Sequence, residues 1–339
     1  MPQARANARL IMMAPKPSVT EEGFEGFTAL WESHRDQLQW RIPFLLPPWL
    51  RVWQEAFAPG ATPSFLAVRD GEAVIGIAPL LITGDTASVV GSPDVCDYAD
   101  LIVAPGKETV FCEGLCNALK QRHVRFLDIA STRPDSVVVS CLLDLARQRG
   151  YEVACQEEDV SLERDLPPTW DDFLGLLSSK QRHEVKRKLR RLEEAGTIDY
   201  RFVEDRGSVP AFMDMFLSLF VESRQDKAAF MTGEMEGFFR SLAEAMSRAG
   251  LLRSGVLEVD GVPTAAVMAF DLNDTVYLYN SAYDPEYSSL SVGVLSKALC
   301  IKDSIERGKK RFDFLKGGER YKYHLGGQEV QLYRCRFSL

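Results

Sequence analysis

The chain has 339 residues, a formal net charge of −8, and a composition that is 46% hydrophobic and 26% charged. This balance is typical of a folded globular protein, and the length favours two domains, because single hydrophobic cores stop growing at about 250–300 residues. The net negative charge excludes a general DNA-binding role, since attraction to phosphates depends on a positively charged surface.

The N-terminus contains a short apolar run at residues 10–14. This run is too short for the apolar region of a signal peptide, and the longer apolar stretches of the chain are interrupted by Gly or Pro. We predict a disordered tail over residues 1–20, no membrane span and a cytoplasmic protein.

The cysteines and histidines form no metal-binding pattern. The four histidines lack metal-ligand spacing, and no CxxC pair occurs among the seven cysteines, at positions 96, 112, 116, 141, 155, 300 and 335. Scattered cysteines of this kind are usually buried thiols in a reducing compartment. We predict free thiols and no metal site.

Two segments of the chain resemble each other at a separation of about 190 residues. Residues 65–80 and 256–270 each contain two apolar runs around an Asp-Gly pair, at Asp70 and Asp260, which predicts a tight hairpin. Further on, 112–131 and 295–318 each read as a helix, basic residues and a strand. The matched order predicts a duplication.

The fold class predicted from this repeat is α/β (or α+β), with two tandem lobes of mixed β-sheets packed by helices. The N-terminal lobe spans 21–165 and includes an amphipathic helix within 43–57, after Pro47 and Pro48. The C-terminal lobe spans 166–339, with helices at 209–224 and 235–250.

A basic helix is predicted at the junction of the lobes, at about 179–195. Between Lys180 and Arg191 it contains seven Lys or Arg and one acid, Glu184. Val185, Leu189 and Leu192 form its apolar stripe. A solvated helix face is one interpretation, and contact with the phosphates of a ligand or with an anionic acceptor is the other.

A strand-to-helix turn near residue 291 predicts a phosphate site. Backbone amides at the start of a helix bind anions, and the candidates are Ser291, Val292, Gly293 and Val294. A routine N-cap by Ser289 or Ser291 is the alternative.

The next strand ends in a dense polar cluster. Asp313 interrupts an apolar strand, and Tyr321 and Lys322 follow a Gly pair at 317–318. Ligand sites of α/β proteins lie at such strand ends. The alternatives are pairing of Asp313 with Arg311 or with a neighbouring backbone amide, and simple packing of Tyr321 and Tyr323.

Two stretches of the sequence resemble motifs of a known family. "FDFLKGGERYKYHLG" and "YDPEYSSLSVG" resemble motifs of the CelD/BcsL-type acetyltransferase-like proteins, which belong to the GNAT superfamily and are related to the FemAB transferases. The family usually has Ser-Pro-Gly where this chain has Ser291-Val292-Gly293. The resemblance implies two GNAT-like lobes around a cleft and acyl transfer from an acyl-CoA thioester to an amine.

Transfer of an acyl group from a thioester to an amine requires a base, an acid for the departing thiolate and a site for the phosphates. We expect Asp313, with Asp284 second, to act as the base and Tyr321, with Tyr323 as the alternative, to act as the acid. Lys322 would neutralise a phosphate or a substrate carboxylate.

The first lobe lacks a comparable phosphate turn, so we interpret it as a degenerate copy that binds the acceptor. Its candidates are Asp97, Tyr98 and Asp100, for which exposure on a loop is the alternative. Arg224 occupies a position where the family tends to have Arg and could hold an anionic acceptor, although a solvated Arg is equally compatible.

Three functions stay open. The first is an acyl-CoA-dependent N-acyltransferase acting on an amino sugar or on a polysaccharide or lipid precursor. The second is a FemAB-like transferase that uses aminoacyl-tRNA, held by the basic helix, and the third is a non-catalytic binding module. The donor is acyl-CoA, an acyl carrier protein or aminoacyl-tRNA.

Overall fold

The computed structural model describes residues 16–203, 205–223 and 225–339. The helices of the first half are α1 (Phe24–Ser33), α2 (Pro47–Phe57), α3 (Glu108–Gln121) and α4 (Leu143–Gln148). Its strands are β1 (Ser18–Glu22), β2 (Ser64–Asp70), β3 (Ala73–Thr83), β4 (Thr86–Val89), β5 (Ile102–Val103), β6 (Phe126–Thr132) and β7 (Glu152–Asp165).

The second half repeats this order after additional helices. Its helices are α5 (Trp170–Leu176), α6 (Ser179–Glu193), α7 (Val209–Ser223), α8 (Gln225–Phe230), α9 (Gly233–Arg248), α10 (Val292–Glu306) and α11 (Arg320–His324). Its strands are β8 (Ile198–Phe202), β9 (Leu252–Val259), β10 (Val262–Leu272), β11 (Thr275–Tyr283), β12 (Arg311–Lys316) and β13 (Gln328–Ser338). No helix in the described ranges is long and apolar enough to cross a membrane.

The strands of both halves form one mixed sheet. Within the described residues its order is β1-β2-β3-β4-β6-β13-β7-β12-β11-β10-β9-β8, and β5 pairs with β3. The predicted α/β class with mixed pairing and packed helices is confirmed. The halves contribute to one continuous sheet, however, because the strands at the junction of the halves hydrogen-bond to each other.

The last strand of each half pairs with the other half. β7 pairs antiparallel with β12, and β13 lies between β6 and β7. Each half therefore completes the sheet of its neighbour. The division into lobes at 21–165 and 166–339 stays a proposal.

The long β7–β13 pair also corrects the expectation of free thiols. Cys155 and Cys335 lie directly opposite each other in this pair and form a disulfide. The remaining five cysteines are free, and of these Cys141 alone is partly exposed. Two cysteines 180 residues apart in sequence cannot be matched from spacing alone, because strand pairing brings them together.

The two predicted hairpins are confirmed, and one turn differs in position. In the β9–β10 hairpin the loop is Asp260-Gly261, and both residues have positive φ, of 52° and 78°. In the β2–β3 hairpin Asp70 still belongs to β2, and the loop begins at Gly71, with φ of 63°. Both hairpins have a register shift beyond the turn, between Val68 and Arg69 in the first and between Pro263 and Ala265 in the second.

The predicted N-terminal tail is shorter than expected. Residues 1–15 lie outside the described residues, and β1 already begins at Ser18. This strand pairs antiparallel with β2 from Ser18 to Glu22. Main-chain pairing holds the segment at the sheet edge, although its side chains carry little apolar pattern.

Helix α2 joins the two halves through an aromatic cluster. The ring of Trp49 is fully buried and lies 5.3 Å from the ring of Phe270 and 5.1 Å from that of Tyr279. The predicted amphipathic helix after Pro47 is thus confirmed. It fixes the first half against the strands that carry the candidate site.

The predicted basic helix is confirmed as α6. Ser178 caps its N-terminus in a capping box with Gln181, and Val185 and Leu192 are buried. Leu189 and Leu192 pack on Val292 and Leu295, at the start of α10. The basic face of α6 therefore lies beside the N-terminal end of α10.

Candidate functional site

A groove opens where two parallel strands separate. β11 and β12 pair at three positions, the last of which is Tyr277 with Asp313. Beyond this pair β11 follows β10 to Tyr283, and β12 follows β7 to Lys316. The gap holds a groove of about 730 Å³, lined in part by Leu278 and Phe314.

Local backbone geometry turns β12 away from β11. Leu315 has a positive φ of 63°, and the register of β12 against β7 shifts between Asp313 and Leu315. A left-handed conformation in a buried leucine is unusual, since the Cβ atom crowds the backbone. The Asp313 carboxylate compensates by accepting the Leu315 amide at 2.7 Å.

The N-terminal end of α10 lies in this groove. Ser291, with φ of 59°, donates its amide to Ser288, and Val294 donates to Ser291. Val292 and Gly293 are the first residues of α10, and the first-turn amides of a helix have no acceptor within that helix. The predicted four-amide phosphate site is therefore reduced to two free amides at a helix N-terminus.

Gly293 is required by close packing. A Cβ atom at this position would lie 2.9 Å from Cδ1 of Tyr283, on the neighbouring strand. The side chain of Val292 is buried under α6, so this residue offers only its backbone to the groove. The contact with Tyr283 keeps the helix end close to the strands.

Lys297, one turn after Gly293, was not found from the sequence. It is buried, and its ammonium donates to the Gly293 carbonyl and lies 4.7 Å from the ring centre of Tyr321. Burial lowers its pKa to about 7, and the charge of Lys227 acts in the same direction. The sequence did contain an indication of this site, because Lys297 is a charged residue within an otherwise uncharged, buried segment of α10.

Tyr321 is where the sequence predicted a catalytic group. It lines the groove, and burial raises the pKa of its phenol, so it keeps its proton at neutral pH. Lys297 and Tyr321 therefore place a proton acceptor and a proton donor next to each other.

Lys322 has structural contacts in place of the predicted phosphate contact. Its Nζ donates to the carbonyls of Leu315, Lys316 and Gly317 at 2.6–3.0 Å and lies 2.8 Å from Glu319. An ammonium has three N–H groups, and these partners occupy them all. Lys322 thus fixes the turn after β12.

Asp97 lines the groove from the first half. Its carboxylate accepts the amide of Lys316 at 3.1 Å, and burial raises its pKa. Lys316 in turn donates its side chain to the Pro93 carbonyl at 3.1 Å. The loop around Asp97 is thereby joined to the end of β12.

Asp313, the predicted base, lines a different cavity from Tyr321. This second cavity, of about 460 Å³, also contains Tyr98, whose hydroxyl donates to Asp313 at 2.8 Å. Burial raises the pKa of Asp313 to about 7, although Arg133, 3.8 Å away, lowers it. The structure does not bring Asp313 and Tyr321 together.

Asp100 lines the second cavity as well. Its carboxylate accepts the amide of Val138 at 3.4 Å, at the start of the π-helical turn Val138–Leu142. Burial raises its pKa to about 7. Of the three predicted acceptor-side residues, Asp97 thus belongs to the groove, whereas Tyr98 and Asp100 belong to the second cavity.

Asp284, the second candidate base, lines neither cavity. Asp284 accepts the amide of Glu286 at 2.8 Å and caps a 3₁₀ turn, and it does not line the groove. Arg224 lies outside the described residues. No cluster of metal-ligating side chains occurs in the described parts of the chain.

The first half contains a smaller counterpart of the groove. β4 and β6 pair in parallel at Thr86 and Ala87 only, and a cavity of about 240 Å³ lies beside them. Arg334 lines this cavity and pairs with Asp128 at 2.9 Å. The first half keeps the strand split in a reduced form.

Comparison with known proteins finds a family model that matches the segment around the groove. Residues 179–323 match an acetyltransferase (GNAT) domain. The match extends from α6 to α11 and includes both walls of the groove. No curated protein matches the chain.

The whole chain is similar in fold to several solved structures. FemX matches with a TM-score of 0.66 at 11% identity, covering 94% of this chain and 96% of that chain. A conserved protein of unknown function from Bacteroides thetaiotaomicron matches with a TM-score of 0.59 at 12% identity. This match covers 96% of this chain and 100% of that chain.

A further match is the C-terminal domain of a putative lysylphosphatidylglycerol synthetase from Agrobacterium fabrum. Its TM-score is 0.55 at 11% identity, over 86% of this chain and 91% of that chain. At such identities the similarity shows the fold alone.

Proposed function

We propose that the protein is an N-acyltransferase that moves an acyl group from a thioester donor, such as acyl-CoA, to an amine acceptor. The observation that carries this proposal is the split between β11 and β12 beside the free amides of Val292 and Gly293. Among the described residues, no strand pairs beyond Tyr277 with the edge of β11 that faces the groove. It can pair with the amide groups of a pantetheine arm, while the helix end binds a phosphate.

Two side chains of the groove can move the protons of this reaction. The acceptor ammonium gives one proton to neutral Lys297, and the free amine attacks the thioester carbonyl. When the C–S bond breaks, Tyr321 donates its proton to the thiolate, and the second amine proton restores the phenol. The products are an amide and a thiol, with one proton released to solvent through Lys297.

The acceptor would approach from the first half. Asp94 and Asp97 line the groove on that side, and two carboxylates there attract an ammonium group. An amino sugar or an amine of a polysaccharide or lipid precursor fits this requirement. The CelD/BcsL subtype and the cytoplasmic location stay predictions.

The donor site is tested by titration calorimetry with CoA and acetyl-CoA. We expect the wild-type chain to bind both and Gly293→Ala to weaken binding at least tenfold, because the new methyl group displaces Tyr283 and the helix end. Gly237→Ala in α9 is the matched control, since a Cβ atom there meets nothing within 4 Å. Absence of binding to the wild-type chain would contradict acyl-CoA as the donor.

Basic helix α6 favours a second candidate, transfer from aminoacyl-tRNA. In that case RNA would co-purify with the chain and dissociate at moderate salt, since phosphate contacts release counterions. Retention of CoA in place of RNA, identified by mass spectrometry of the purified protein, favours the first candidate.

A further inference from the structure

One side of α6 forms a positively charged surface next to the groove. Helical spacing places Lys180, Arg187, Lys188 and Arg191 on this side, together with Glu184. We call these four cations and Arg320, which is exposed at the groove, the basic flank. The flank contains five cations and one carboxylate.

Contacts with α11 fix the direction of the flank. Gln181 donates its side-chain amide to the Tyr323 carbonyl at 2.8 Å. Burial is the main cause that lowers the pKa of His324, and the nearby charges of Arg320, Lys188 and Lys180 lower it further. The flank therefore faces α11, and α11 borders the groove through Tyr321.

Much of this charge is not neutralised within the protein. Glu184 pairs with Arg187 at 2.8 Å and with Lys188 at 3.6 Å. In the described parts of the chain, Lys180 and Arg191 have no ion pair, and both are exposed. Concentrated like charges repel each other, so a polyanionic ligand would stabilise this arrangement.

The flank is longer than a small donor requires. Helix α6 has 15 residues, which corresponds to about 22 Å at 1.5 Å per residue.

The surface is better suited to a protein than to RNA. Leu176, just before α6, is 52% exposed and offers an apolar anchor beside the charges. Sequence-tolerant RNA binding depends on aromatic side chains that stack on bases. No Phe, Tyr or Trp occurs between Ser179 and Glu193.

We propose that the acyl group reaches the groove on the phosphopantetheine arm of an acidic carrier protein, which docks on the basic flank. This inference rests on the proposed function, because it names the donor of the same transfer. The carrier contributes a thioester to the groove between β11 and β12 and an acidic surface to α6.

The test measures binding by the full chain, so it requires no acceptor. The probes are a fluorescently labelled bacterial acyl carrier protein, with and without its pantetheine arm, and free CoA. The variant is Lys180→Glu/Arg191→Glu. Its control is Lys186→Glu/Arg190→Glu, which changes charge by the same amount at two cations outside the flank, on the side of the basic face away from Lys188. Circular dichroism checks that both variants fold.

We expect the carrier with its arm to bind at least tenfold more tightly than the carrier without it. The flank variant should weaken carrier binding at least tenfold and CoA binding less than twofold. The control should weaken carrier binding less than threefold, since charges beyond about 8 Å are screened at physiological salt.

Two outcomes overturn the docking proposal while leaving the proposed function intact. The first is binding of CoA without binding of the carrier. The second is an equal loss of CoA and carrier binding in the flank variant, which would assign the flank to the nucleotide of CoA. Tight binding of aminoacyl-tRNA that is lost in the flank variant, without carrier binding, also overturns it. If neither CoA nor the carrier binds, the proposed function itself fails.

Discussion

Lys297 is the residue on which the proposed chemistry depends most. It is buried in α10, hydrogen-bonded to Gly293 and adjacent to Tyr321. A lysine in water is almost fully protonated at neutral pH and cannot accept a proton. The burial that lowers its pKa to about 7 makes a neutral amine available there.

This property has a measurable effect on stability. Between pH 7 and about 10.4, the usual pKa of lysine, the unfolded chain holds a proton on Lys297 that the folded chain lacks. Stability from this group therefore rises with pH in that window and is lowest at or below pH 7.

We expect Lys297→Met to stabilise the fold more at pH 7 than at pH 9, by about 2 kcal/mol of unfolding free energy. Urea denaturation at the two pH values measures this difference. Lys302→Met is the control, because Lys302 is a surface residue of the same helix, paired only with Glu306. An identical effect of Lys297→Met at both pH values would show that Lys297 remains charged in the fold.

Local residue patterns were predictable where neighbours in sequence decide the structure. The Asp260-Gly261 turn and the Ser178 cap depend on residues within a few positions. The sequence identified Lys322 as part of the polar cluster, but it did not predict the contacts that Lys322 makes. Its partners are backbone carbonyls, which carry no sequence signal.

At the scale of elements, α6 is set by its cap and its narrow apolar stripe. Ser178 accepts the Gln181 amide at 3.3 Å, and Gln181 accepts the Ser178 amide at 2.9 Å. The first-turn amides of a helix otherwise lack partners when its N-terminus packs against protein. The cap therefore orients the basic flank towards α11.

We expect Ser178→Ala to lower the free energy of unfolding by about 1 kcal/mol, the usual cost of losing an N-cap. Chemical denaturation measures the change. Ser179→Ala serves as the control, because Ser179 is exposed and belongs to the first helical turn without capping it. Equal stability of the two variants would mean that the capping box contributes nothing.

The strands show where prediction from sequence ended. The alternation of apolar residues and the Asp-Gly pairs identified each hairpin, because these signals are local. The exchange of β7 and β13 between the halves was not visible, since it depends on pairing across the whole chain. The Cys155–Cys335 disulfide was missed for the same reason.

At the scale of the whole molecule, duplication and asymmetry explain the position of the site. Both halves contain a parallel pair of strands that separates, but only the second has the larger groove with a helix N-terminus and Lys297. The first half supplies Asp97 and Trp49 to the second. Its predicted part in acceptor binding stays a proposal.

Separation of Asp313 from Tyr321 is the main difference between the predicted and the observed site. Both residues lie within a few positions of the same strand end, which made one site the simplest interpretation. Successive residues of a strand face opposite sides, however, and the turn at Leu315 directs the chain away. Asp313 and Tyr321 are close in sequence but line different cavities.

The most direct test of the central claim is hydrogen–deuterium exchange of the full chain with and without acetyl-CoA. We expect acetyl-CoA to slow exchange at the amides of Val292 and Gly293 and along residues 278–283, because the donor would occupy the split between β11 and β12. The second cavity should not change. Protection confined to the second cavity, or no protection at saturating acetyl-CoA, would contradict the proposed donor groove.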